Sequence, residues 1–148
     1  MKTPPTVGET LRDLMGANDW PGLEDWVKKA DAIAPTLVGG SRKHGGPDLG
    51  PTRARAAWLQ LGVDGRSLAA SAPSAGDPVD VAPKLTLDMV AKIQGFPSSW
   101  TFTGRKTAAY RQIGNAFPPP VAKAIGEQIR KAIEAAQAAT RQPLRAVG

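Results

Sequence analysis

A chain of 148 residues with a net charge of +6 and a pI near 10.0 has the length of one domain, or of one small domain plus part of a second. Hydrophobic (41%) and charged (22%) shares are ordinary for a globular protein. No apolar run nears the roughly 20 residues of a membrane span, and Met1-Lys2-Thr3-Pro4-Pro5 lacks an apolar signal region, so a soluble, cytoplasmic protein with no membrane partner is expected. With no cysteine, and with His44 as the only histidine, disulfides, a thiolate nucleophile and a His- or Cys-built metal site are excluded.

The first helix is expected over residues 7–15. Thr6-Val7-Gly8-Glu9 has the form of a capping box, Val7, Leu11 and Leu14 recur at helical spacing, and Gly16 suits the stop. Trp20 and Trp26 flank the turn signal Pro21-Gly22, and the segment to Asp31 is expected to be partly helical. Thr36-Leu37-Val38 is a short β-favouring stretch running into the Gly-rich basic loop Gly39-Gly40-Ser41-Arg42-Lys43-His44. Such a loop is either a surface turn or a place where the backbone comes close to a partner that the basic tips contact.

Arg53 to Gly62 reads as a two-turn helix capped by Thr52 and ended by Gly62, with Trp58 and Leu61 inward and Arg53 outward. Residues 67–83, rich in Ala, Ser, Pro and Asp, read as a linker or a long exposed loop. Leu85, Met89, Val90 and Ile93 predict a helix over 86–94, ended by Gly95. A further segment spans Thr107 to Ile113. A last helix, from about Val121 to 138, carries Val121, Ile125, Ile129 and Ile133 at i, i+4 spacing.

Positive charge lies in the middle and the C-terminal third. Residues 40–66 hold Arg42, Lys43, Arg53, Arg55 and Arg66 against Asp48 and Asp64. A basic face of this kind is a solvated surface or the footprint of a polyanion binder.

Two segments go beyond the generic. Leu85-Thr86-Leu87-Asp88-Met89-Val90-Ala91-Lys92-Ile93-Gln94-Gly95-Phe96-Pro97 is followed by Tyr110-Arg111-Gln112-Ile113-Gly114-Asn115-Ala116-Phe117-Pro118-Pro119-Pro120-Val121. In this order and separation they resemble the last two sequence blocks of the DNA (cytosine-5) methyltransferases. Ala34-Pro35-Thr36-Leu37 and the Gly-rich loop resemble the target-recognition region that precedes those blocks. The likeness covers about residues 6–138. It departs from the family at Asp88-Met89, where a basic-acidic pair is usual, and at Lys84 and Lys92, where arginine is usual; lysine keeps the charge but not the bidentate geometry.

The resemblance implies an α+β protein. A small irregular target-recognition lobe of short strands and loops would occupy 1–83, with 67–83 as linker. The methyltransferase blocks and helix would occupy 84–140, packing in the family onto a Rossmann-like catalytic domain, and 141–148 would be a tail. It implies that Phe96, Asn115, Ala116 and Phe117 border the S-adenosylmethionine pocket. Read from the residues alone, Phe96 can equally be core and Asn115 a helix cap. It implies that Thr36, Gly39, Gly40, Ser41, Arg42, Lys43, His44, Arg53 and Arg55 face double-stranded DNA. The family attacks cytosine C6 with a cysteine thiolate and uses a glutamate and a Gly-rich cofactor loop, all in the earlier two-thirds of its sequence; here there is no cysteine and no Gly-rich strand-to-helix fingerprint near the start. The expected chemistry therefore needs a partner chain, a catalytic methyltransferase subunit that shares the cofactor pocket. A truncated remnant, or a non-catalytic sequence-specific DNA-binding module, are the alternatives.

Overall fold

The computed structural model describes residues 4–39 and 46–141. Along the chain these form α1 (Val7–Met15), α2 (Leu23–Lys29), α3 (Thr52–Gln60), α4 (Leu87–Ile93), α5 (Lys106–Asn115) and α6 (Pro119–Arg141). Local signals set most of the helix ends. At α1 the expected capping box is present: the Thr6 hydroxyl accepts from the Glu9 N–H, and the Glu9 carboxylate accepts from the Thr6 N–H at 2.9 Å. At α4 Thr86 caps, and the Met89 sulfur stands where a capping-box carboxylate would, 3.4 Å from the Thr86 N–H. Gly62 and Gly95 take left-handed φ values of 72° and 81° just past α3 and α4, as helix-ending glycines do. Thr52 differs from expectation. It is the first helical residue of α3, Pro51 holds the cap position, and no side chain caps this end.

The chain divides into two compact units, residues 1–116 and 117–148. In the first, α1 packs on α2 and α4, and α4 packs on α5. Leu11, Met15, Trp58, Leu85, Met89, Tyr110 and Ile113 are buried there, so one core draws on residues from α1, α3, α4 and α5. The 67–83 stretch is pinned to this core. Leu68 is buried, Ala69 N–H donates to the Leu85 carbonyl at 2.9 Å, and the Asn18 amide donates to the Ala72 carbonyl at 3.0 Å.

The short strands expected of an α+β lobe do not form among the described residues, which are helical and irregular apart from one isolated parallel bridge, Asn18 to Ser74. Thr36-Leu37-Val38 is the clearest correction. β-Favouring residues make a strand only beside another strand. Here Leu37 is buried in the core and the Val38 carbonyl accepts from the Tyr110 hydroxyl.

The second unit is α6, beginning at Pro119, where a missing N–H costs nothing in a first turn. Val121, Ile125, Ile129 and Ile133 are each about half exposed along one face of it. Among the described residues no helix is long and apolar enough to cross a membrane, and no cluster of three or more His, Asp or Glu could hold a metal ion.

Candidate functional site

The last turn of α5 gathers much of what the sequence singles out. Tyr110 is fully buried and its hydroxyl donates to the Val38 carbonyl at 3.0 Å. One turn on, Gly114 meets Gly39 backbone to backbone: a Cβ on Gly114 would lie 2.5 Å from the Gly39 Cα, and a Cβ on Gly39 would lie 2.7 Å from the Asn115 backbone N. Neither glycine has a left-handed φ, so each is needed for the close approach and not for a turn. The structure thus brings Gly39, expected toward DNA, against Asn115, expected toward the cofactor.

The other side of this turn is held by Gln94. Its amide donates to the Ile113 carbonyl at 3.1 Å, which also accepts from the Ala116 N–H, and to the Ala116 carbonyl at 3.4 Å. Asn115 is the last residue of α5 and exposed, and Ala116 follows in extended conformation. Phe117 opens the second unit with its side chain 61% exposed. Phe96 is partly buried against the core, edge-on to Phe102 (ring centroids 5.0 Å apart) and tilted against Trp100 (5.8 Å). It also lines a cavity of about 460 Å³ with Asp13, Asp88, Lys92, Trp100 and Phe102; Asn115, Ala116 and Phe117 are not part of that lining.

On the DNA-facing list, Thr36 is exposed and Gly39 is buried in the contact just described. Gly40, Ser41, Arg42, Lys43 and His44 lie outside the described residues. The chain returns at Gly50, where an added Cβ would lie 3.3 Å from the Ala54 Cβ and 3.6 Å from the Val38 Cβ. The side chains of Ala54 and Val38 thus flank Gly50. From α3, Arg53 is exposed, while Arg55 is half-buried and donates to the Thr52 hydroxyl at 3.3 Å. Arg66 is engaged elsewhere: its guanidinium makes two 2.9 Å bonds to Asp64, which hold that carboxyl below the usual carboxylate range.

Tyr110, Gln94 and Gly114 stand inside the two motifs, but the residues alone assign them no role. Their partners are far away along the chain, Val38 being 72 residues before Tyr110, and no local pattern announces such a contact. Burial, and secondarily the charge of Asp48, push the Tyr110 phenol up to about 12, so it remains a donor through the physiological range.

The family profile for C-5 cytosine-specific DNA methylases matches residues 9–131. The chain belongs to this family. Among curated methylases, it is 62% identical over 130 residues to the type II methyltransferase M.NaeI of Lentzea aerocolonigenes, covering 87% of this chain and 32% of that protein. To the type II methyltransferase M.NgoMIV of Neisseria gonorrhoeae it is 44% identical over 138 residues, covering 88% and 41%. A shorter stretch of 51 residues is 47% identical to DNA (cytosine-5)-methyltransferase 1A of Oryza sativa subsp. japonica, covering 34% of this chain and 3% of that protein. The chain thus spans about a third to two-fifths of the two bacterial methylases. No solved structure matches it.

Proposed function

We propose that this chain is the target-reading and C-terminal part of a DNA (cytosine-5) methyltransferase. It would act with a partner chain that carries the catalytic cysteine, the glutamate and most of the cofactor site. One observation carries this reading: 123 consecutive residues match the methylase family, yet the 148 residues contain no cysteine. Without a thiolate the family's attack on cytosine C6 has no nucleophile. The side chains present suit reading DNA. Exposed Arg53 and half-buried Arg55, at the start of α3, would meet phosphates.

The residues at the end of α5 fit S-adenosylmethionine as one border of its site. Asn115 is an exposed residue whose carboxamide oxygen lies against Gly39, and exposed Phe117, two residues on, offers an apolar ring. Asn115 would bond the cofactor's amino-acid end, with Ala116 and Phe117 packing near its sulfur. Phe96 would contribute through the part of its ring that its aromatic neighbours leave uncovered. The cofactor supplies the methyl group; this chain's part is to border it and to hold the duplex. Cytosine C5 and C6 are out of reach inside the stack, so the assembled enzyme would extrude the target base. The half-exposed isoleucines of α6 support a partner, since covering each would contribute about 1.5–3 kcal/mol.

The DNA half of this reading is tested on the chain alone. Fluorescence anisotropy with a labelled duplex should show binding that weakens steeply with salt, the log–log slope being about −0.9 per phosphate neutralised. Arg53→Ala and Arg55→Ala should each lessen that slope by about 1 without lowering the melting temperature appreciably. A salt-independent affinity, or two variants that bind as wild type, would contradict it.

A further inference from the structure

The contacts at the end of α5 form an unbroken path. Asn115, on the proposed cofactor side, is continuous with Gly114; Gly114 meets Gly39 backbone to backbone; and Val38, just before Gly39, accepts from the Tyr110 hydroxyl through its carbonyl. Two glycine backbones in contact leave no side chain that could change rotamer and absorb a shift. On the opposite side Gln94 fixes the carbonyls of Ile113 and Ala116, so the α5 terminus cannot move away freely.

We infer that Gly114 and Tyr110 are positioning residues that couple DNA engagement to the cofactor-bordering turn. This goes beyond the assignment of DNA-facing and cofactor-facing residues above, and rests on it. A duplex that fixes exposed Thr36 also fixes Ile113–Ala116 through Val38 and buried Gly39. By reciprocity, whatever orders Asn115 favours the DNA-bound arrangement of the segment 36–39. Neither Gly114 nor Tyr110 needs to touch base or cofactor for this. The Tyr110 hydroxyl supplies one directed bond in the path, and Gly114 supplies the absence of a Cβ. An alanine at 114 would push Gly39 away by about 1 Å to restore ordinary van der Waals distance.

The test uses the full chain and a duplex of random sequence, with hydrogen exchange followed by fragment mass spectrometry. In wild type, saturating duplex should slow exchange of the amides of Ile113 to Ala116 about five-fold or more. In Tyr110→Phe, which keeps the ring and the packing, duplex affinity should stay within about two-fold while that slowing is largely lost. Gly114→Ala should lose it as well; it serves as the second variant if the phenylalanine form is unstable. A merely structural role for these residues would shift the melting temperature and leave DNA-induced slowing intact. DNA-induced slowing that survives in both folded variants, or wild-type binding that leaves α5 exchange unchanged, overturns the coupling alone. A wild-type chain that binds no duplex overturns the DNA-reading assignment, and the coupling with it.

Discussion

Tyr110 is the only tyrosine in the chain, so its environment can be measured without ambiguity. Its phenol is raised from 10.0 to about 12, chiefly by burial. The unfolded chain gives up this proton first, so the contribution of Tyr110 to stability is complete below pH 10 and is lost as pH rises toward 12. Tyrosinate absorbance should stay flat through pH 10 and rise only near 12 or at unfolding. Alkaline denaturation of Tyr110→Phe should lack this component. The tryptophans differ in the same physical respect. Trp26 Nε1 donates to the buried Gly62 carbonyl at 3.0 Å, whereas the indole N–H of fully buried Trp58 has no hydrogen-bond partner among the described residues. Trp26→Phe strands that carbonyl and should cost about 1–3 kcal/mol in urea unfolding. Trp58→Phe removes an unsatisfied donor along with some packing, and should cost less. Which tryptophan has a partner was not legible in the sequence, because Gly62 lies 36 residues beyond Trp26. That Trp58 would be buried was legible from its place beside Leu61 on the inward face of a helix; nothing in the sequence announced the burial of Trp26.

Helices were legible wherever a cap and an apolar stripe coincide, and less so elsewhere. Thr6 and Glu9 announce α1, and Thr86 with Leu85, Met89 and Val90 announces α4. Thr6→Ala should therefore destabilise by about 1 kcal/mol in thermal unfolding, through the lost cap bond. At α3 proline and not threonine holds the cap position; Pro51 is extended, and no side chain accepts from the first-turn N–H groups. Thr36-Leu37-Val38 shows the opposite limit. A β propensity without a second strand becomes an extended segment whose hydrogen bonds go to side chains such as Tyr110. At Asp88-Met89 this chain departs from the usual basic-acidic pair of its family, yet α4 still carries an ion pair, from Lys92 to Asp13 of α1 at 2.6 Å. The bond from Lys92 lowers the Asp13 pKa, so its contribution is present above the ordinary value of 3.8 and is lost as pH falls through the lowered one. The two side chains are 40% and 66% exposed, so solvent screens the pair and Lys92→Met should change stability by less than about 1 kcal/mol, most visibly at low salt.

Across the whole molecule, family membership was the most legible property and the assembly of the site the least. Two blocks at the right separation identify the methylases, because motif order survives in a single chain of letters. The meeting of Gly39 with Gly114, and the clasp of Gln94 on the α5 terminus, are consequences of one shared core and exist only once the chain is folded. The absence of cysteine from these 148 residues is a whole-chain fact as well, and the proposed division between chemistry and DNA reading rests on it. The direct test is transfer of a tritiated methyl group from S-adenosylmethionine to duplex DNA. The chain is assayed alone, beside the portion of the 62%-identical Lentzea methyltransferase that it does not match, and in a mixture of the two. Incorporation in the mixture, with none from either polypeptide by itself, is the predicted result. Methylation of cytosine by the purified cysteine-free chain would contradict the account outright, and a mixture as silent as its parts would contradict the partnership.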